Sequence, residues 1–261
     1  INTSAGNDTV DTSGSDLAVT LNGGAGFDWL TGGPSADRLL GGGRNDTLDG
    51  GAGNDTISGQ AGFDWLYGGD DGDSLDGGDG DDTIDGEAGD DTILGGEGFD
   101  RLVGDTGNDQ IDGGTEDDRI GGGDGDDILD GGDGDDFLNG QLGDDTLVGG
   151  IGDDRVFGGG GDDELDGGDD DDRIRGNSGD DMITGGLGTN RLDGGSGTDR
   201  LTETAIRTDE DLFLFASMFR RSITGGKTDD SPWTAIEEWH LIGNQGDNVL
   251  NANGFTASVT L

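Results

Sequence analysis

The chain has no cysteine, two prolines, one histidine and few aromatics, 5 % of its 261 residues. Without cysteine there is no disulfide framework, and the redox compartment stays open. The lone His240 stands beside Trp239, with no H-E-x-x-H and no G-x-S-x-G anywhere. The usual acid–base and nucleophilic constellations are therefore missing, the chain does not read as an enzyme, and His240 reads as a packed or surface residue. No apolar run approaches the roughly 20 residues that span a bilayer. Basic residues are scarce too: 13 Lys and Arg stand against 60 acids, a formal net charge of −47. A polyanion of this kind repels nucleic acid and anionic membrane surfaces. Cations are the partners it calls for. The start carries no signal peptide, and Ile1 is not an initiator, so the chain is expected to be a piece of a longer protein.

What is abundant is glycine, 61 residues, and it is ordered. From Gly23 to Thr202 the chain divides into 20 nonapeptides without an insertion or deletion, GGAGFDWLT, GGPSADRLL, GGGRNDTLD and so on to GGSGTDRLT. Position one is Gly in all 20, position eight is Leu, Ile or Val in all 20, and position six is Asp in 19. The consensus is G-G-x-G-x-D-x-U-x, with U aliphatic. Glycine tolerates the positive φ of a tight turn and lets carbonyls approach an ion. The triplet x-U-x alternates outside, inside, outside, which predicts a short strand with one buried residue. Two units then make an 18-residue coil with a strand on each side, and coils stack in parallel about 4.8 Å apart. The expected core is thin: Leu30, Leu39, Leu48, Ile57 and their successors. One aliphatic per nine residues is too little to offset the entropy of ordering them, and the carboxylates add repulsion. The cation-free chain is expected to be unfolded or nearly so. A hard divalent cation between stacked turns reverses this, and carboxylate and carbonyl oxygens are the ligands Ca2+ prefers; Mg2+ demands tighter geometry and dehydrates reluctantly.

This nonapeptide closely resembles the RTX (hemolysin-type) calcium-binding repeat of secreted bacterial toxins, proteases, lipases and large adhesins. The resemblance covers residues 23–202 and implies an all-β fold, a right-handed parallel β-roll solenoid of about ten 18-residue coils. It also implies calcium held between turns one coil apart on the same edge, by position-six Asp side chains and Gly-rich turn carbonyls. One edge carries Asp28, Asp46, Asp64, Asp82, Asp100, Asp118, Asp136, Asp154 and Asp172, then Asn190. The other carries Asp37, Asp55, Asp73, Asp91, Asp109, Asp127, Asp145, Asp163, Asp181 and Asp199. Ten turns per edge leave nine gaps each, so up to 18 ions are implied. Asn190 lacks the charge, and Ser35, Arg44, Asp71, Glu116 and Asp170 replace the position-four glycine. Acids at positions five and nine, such as Asp81, Asp126, Asp49 and Asp85, read as a solvating surface.

The pentapeptide GFDWL occurs at Gly26–Leu30 and Gly62–Leu66, and GFDRL at Gly98–Leu102, each 36 residues, or two coils, after the last. Position seven down that sheet reads Trp29, Thr47, Trp65, Thr83, Arg101, Arg119, Phe137, Arg155, Arg173 and Arg191. Aromatics and Thr stabilise neighbouring strands on a sheet surface. Trp, Tyr and Arg are also the residues enriched in binding hot spots, so the Trp29/Trp65/Arg101/Arg119 face is a second candidate site, for another copy of the chain or a surface glycan.

The frame is absent outside 23–202. Residues 1–22 read as the end of a preceding β-helical block or an N-terminal cap, and 203–261 as a C-terminal β-helical cap or joint. In the latter, TDEDLFLFASMFRRS fits a helix by its terminal charges and a strand by its alternation, and the strand is favoured. INTSAGNDTVDTSGSDLAVTL resembles LIGNQGDNVLNANGFTASVTL, with Leu21 and Leu261 240 residues apart. That spacing suggests one period of a larger tandem protein. The expected function is a calcium-dependent spacer of a secreted or cell-surface protein such as an adhesin, surface layer or filament. The alternative is the secretion and folding module of a type I-secreted enzyme.

Overall fold

The computed structural model describes residues 1–202 and, beyond them, the backbone of the strands Phe213–Ala216, Phe219–Arg220, Trp239–His240, Val249–Asn251 and Val259–Thr260. The chain divides into two compact units, Ile1–Phe137 and Leu138–Leu261. The described residues of each form an all-β solenoid of stacked parallel strands built from 18-residue coils, with one antiparallel pair, Phe213–Ala216 with Phe219–Arg220, in the second.

In the first unit, one sheet holds Thr9–Asp11, Trp29–Gly33, Thr47–Ala52, Trp65–Asp70, Thr83–Ala88, Arg101–Thr106 and Arg119–Asp124 in that order. The other holds Thr20–Ala25, Arg38–Gly43, Thr56–Ala61, Ser74–Asp79, Thr92–Glu97, Gln110–Thr115 and Ile128–Asp133. Strands alternate between the sheets along the chain, and every neighbour pairs in parallel. Register is fixed by position in the nonapeptide: Leu48 meets Leu66, and Ile93 meets Ile111. A slip by one residue would turn each aliphatic outward.

In the second unit, Arg155–Gly160, Arg173–Ser178 and Arg191–Ser196 stack in one sheet and are followed by Phe213–Ala216, which pairs in parallel with 191–193. Thr146–Ile151, Glu164–Asp169, Met182–Thr184 and Arg200–Thr202 stack in the other, followed by Val249–Asn251. The residues 213–216 thus extend as strand, not helix. Leu261 lies outside the described residues.

The position-eight aliphatics, Leu30 and Leu39 through Leu192, are buried to within 2 % in every coil, and Leu21 belongs with them at 0 %. The strands are longer than the x-U-x triplet. A typical one, Thr47–Ala52, runs on through positions one to three with alternating burial, so position one is buried beside position eight. The turn proper is only positions four to six. The reason is that a bare glycine at position one lets the ladder continue where a side chain would collide, as the site geometry below shows. No helix of the described residues is long and apolar enough to cross a membrane.

The coil pattern also reaches back before Gly23. Thr9, Val10 and Asp11 pair with Trp29, Leu30 and Thr31. Here the offset is 20 residues instead of 18, because the opposite half-coil, 12–22, is two residues longer.

Candidate metal centres along the turn edges

Each position-six Asp lies at the end of its turn, immediately before the strand, and is 5 % exposed or less. Its backbone is fixed twice. Its carbonyl accepts the N–H of position seven one coil later, as Asp28 does from Thr47 (2.8 Å) and Asp64 from Thr83 (2.9 Å). Its own N–H donates to the Oδ1 of the next Asp along the edge: Asp46 to Asp64 (2.6 Å), Asp82 to Asp100 (2.7 Å) and Asp100 to Asp118 (2.7 Å). The opposite edge does the same, from Asp55 to Asp73 and from Asp91 to Asp109. In the second unit Asp163 donates to Asp181.

That accounts for one carboxylate oxygen. The other, Oδ2, is buried without a hydrogen-bond donor in Asp28, Asp46, Asp64, Asp82, Asp100 and Asp118 on one edge. The same is true of Asp55, Asp73, Asp91, Asp109, Asp163 and Asp181 on the other. A buried carboxylate oxygen left this way costs several kcal/mol in order of magnitude. Each faces the bare side of the position-one glycine of its own unit. A Cβ on Gly77 would lie 2.4 Å from Asp82 Oδ2 and 2.6 Å from the Gly95 carbonyl oxygen one coil on. On Gly95 it would lie 2.4 Å from both Asp100 Oδ2 and the Gly113 carbonyl. A carboxylate oxygen of one coil and a carbonyl oxygen of the next thus share a cradle that only glycine leaves open.

No three carboxylate or imidazole groups converge on one point among the described residues. A metal here would take few carboxylates and several carbonyls, which suits the oxygen-rich, flexible coordination of Ca2+. The electrostatics agree. Burial pushes Asp46, Asp55, Asp82, Asp91 and Asp163 up to about 7, partly offset by the backbone N–H each accepts. Asp118 rises to about 8 for the same reason, with the negative charges of Asp100 and Asp136 adding to it. A cation at the cradle would remove this penalty.

Two of the sequence-derived positions differ from the rest. Both Asp37 oxygens are satisfied by backbone, Oδ1 by Val19 N–H and Oδ2 by Gly33 N–H, each at 2.7 Å. The Val19 N–H serves Oδ1 as the Asp37 N–H serves Asp55 Oδ1; what differs is Gly33, which does not take the positive φ of the other position-two residues and turns its N–H onto Oδ2. Asn190 Oδ1 accepts the Asp172 N–H at 2.8 Å, as an Asp would, but its Nδ2 donates to the Gly185 carbonyl at 2.8 Å. The position-four replacements Arg44, Asp71, Glu116 and Asp170 hold φ of 73–82° and keep the glycine geometry at a cost in strain.

Two features were not read from the sequence. Asp8 donates its N–H to Asp28 Oδ1 (2.8 Å) and has a buried Oδ2 without a donor, so it joins the row. The signal was present in AGNDTVD, at 5–11, but Thr3 stands where the position-one glycine would be, and its hydroxyl donates to the Gly23 carbonyl at 2.6 Å. Position-five acids are exposed, as a solvating surface should be, yet they also form a ladder of opposite sense. Asp90 Oδ1 accepts the Asn108 N–H, whose Oδ1 accepts that of Asp126, each at 2.9 Å.

The model of the RTX calcium-binding nonapeptide repeat, which describes four copies, matches this chain in overlapping tiles from residue 20 to 201. No curated protein matches it.

Proposed function

The chain belongs to the RTX calcium-binding nonapeptide repeat family, and from that premise we propose that it is a calcium-dependent structural spacer of a larger secreted or cell-surface protein, such as an adhesin, surface layer or filament. RTX repeats are structural calcium-binding modules that occur in secreted proteins. The ligands we assign are the position-six aspartates of both edges other than Asp37, whose Oδ2 takes the Gly33 N–H, each through Oδ2 with position-one carbonyls of the following coil. The observation that carries the reading is the row of buried Oδ2 atoms over glycine cradles. Ca2+ bound there supplies the positive charge that lets the carboxylates stay ionised inside the edge.

This makes folding depend on place. With scarce calcium the acidic chain stays extended and export-competent. At the millimolar calcium outside cells, sites of the extracellular class fill, and binding only to the folded form shifts the equilibrium toward it. The 240-residue recurrence of the terminal segments favours a tandem spacer over the alternative, a secretion and folding module attached to an enzyme. Far-UV circular dichroism across a calcium titration tests the reading. At a pH above the raised carboxyls, strand signal that appears only with calcium is expected; full strand signal in chelator at that pH would sink the proposal.

A further inference from the structure

The two-coil interval of the aromatic pentapeptides produces an alternating surface in the first unit. Trp29 and Trp65 stand on the same outer sheet face, with Thr47 in register between them and Thr83 after Trp65. Position nine alternates in step: Thr31, Asp49, Tyr67, Asp85. Coils about 4.8 Å apart bring like rings back at roughly 9.6 Å along the solenoid axis. Trp29 is 57 % exposed and Trp65 52 %, and on the adjoining turn Phe63 and Phe99 are 53 % and 57 % exposed. The core gains nothing from them, since Leu30 and Leu66 already fill it at 0 %.

We propose that this face binds a neutral, extended polysaccharide of β-1,4-linked hexopyranoses lying along the solenoid axis. The inference rests on the calcium reading above, because the face exists only where the coils are folded. An aromatic ring stacks on the apolar face of a pyranose through its C–H groups. In a β-1,4 chain each sugar is turned over relative to the last, so like faces recur at every second sugar, as the rings do at every second coil. Between the rings, the hydroxyls of Thr47 and Thr83 and the carboxylates of Asp49 and Asp85 offer donors and acceptors to ring hydroxyls. Charge selects the partner. Asp49, Asp81 and Asp85 make the stretch acidic, which repels a polyanionic glycan and a second copy of a chain carrying −47. The row ends where Arg101 replaces Trp, four coil steps from Trp29, or roughly 19 Å, the reach of a short oligosaccharide.

The test uses the calcium-loaded full chain. Cellohexaose and chitohexaose are titrated in by calorimetry and by tryptophan fluorescence, with α-linked maltohexaose as the control. Circular dichroism of the same samples reports folding. Binding of at least one β-1,4 hexasaccharide and not of maltohexaose is expected. Trp29→Ala and Trp65→Ala each weaken it about tenfold, with folding unchanged and Trp65→Tyr retaining most of the affinity. A folded chain that binds neither β-linked sugar at millimolar concentration overturns the proposal, as does affinity indifferent to both alanine substitutions. Tryptophan-dependent self-association in sedimentation would assign the face to a second copy and overturn it too. A chain that stays unfolded in calcium would instead overturn the calcium reading, and this one with it.

Discussion

The Asn190 side-chain amide donates to the Gly185 carbonyl at 2.8 Å, where Asp154 and Asp172 in the same unit turn a carboxylate oxygen toward a glycine cradle. A hydrogen-bond donor thus sits at the carbonyl that would otherwise face a cation. Near the start of the array, protein donors likewise occupy two cradle atoms: the Thr3 hydroxyl donates to the Gly23 carbonyl and the Gly33 N–H to Asp37 Oδ2.

Asn190→Asp should therefore add calcium capacity. We expect one more ion per chain by equilibrium dialysis, and a calcium-free form less stable than the parent because the buried Nδ2 donor is replaced by an acceptor. An unchanged ion count would show that this turn is not a vacant member of the series.

Inside the array the two functions of the Asp side chain are separable. Asp109→Ala removes the Oδ1 that accepts the Asp91 N–H at 2.8 Å as well as the candidate ligand. Leaving that buried N–H unpaired costs about 1–3 kcal/mol, so the calcium midpoint for folding should rise clearly. Asp109→Asn keeps the acceptor and places a donor toward the Gly104 carbonyl, as Asn190 does at Gly185. It should bind less calcium than the parent yet fold more readily than the alanine variant. Equal midpoints for the two variants would contradict this division.

The pH dependence follows from the raised carboxyls. Asp46, Asp55, Asp82 and Asp91 are pushed to about 7, and Asp118 to about 8, above the ordinary value near 4 of an unfolded Asp. The calcium-free fold therefore binds more protons than the unfolded chain. Its stability from these groups is full below about pH 4 and is lost as pH rises through 6 to 8. In calcium-free buffer, strand signal should grow on acidification across that window. With calcium present the midpoint should move to higher calcium as pH falls, because protons compete for the same oxygens. A calcium-free signal flat with pH would count against the burial of these groups.

Much of this was legible in the sequence, because a nonapeptide repeat encodes geometry directly. The invariant aliphatic at position eight marks the core, and the Asp at position six marks the edge. What the letters do not carry is which carboxylate oxygen is engaged. Asp37 and Asp55 look alike, yet Gly33 lacks the positive φ of the other position-two residues and turns its N–H onto Asp37 Oδ2, the oxygen that Asp55 leaves bare. Asp8 escaped because Thr3 and a two-residue insertion break the frame around it. The strand length escaped because glycine at positions one and two reads as turn, while its bareness is what lets the ladder continue.

Positive-φ sites without glycine offer a test of local strain. Gln60 holds φ of 79° at position two, where most repeats have glycine. A left-handed conformation costs a residue with a Cβ about 1–2 kcal/mol. Gln60→Gly is expected to recover part of this, lowering the calcium midpoint in the same titration. A higher midpoint would mean that the Gln side chain contributes more than its backbone costs.

The most direct test of the central claim is a crystal structure of the calcium-loaded chain with anomalous data that locate the ions. Peaks are expected at the glycine cradles, within ligand distance of Asp82 Oδ2 and the Gly95 carbonyl and of their counterparts along both edges. Folded coils whose calcium lies instead on the exposed position-five acids, with the cradles holding no ion, would contradict it.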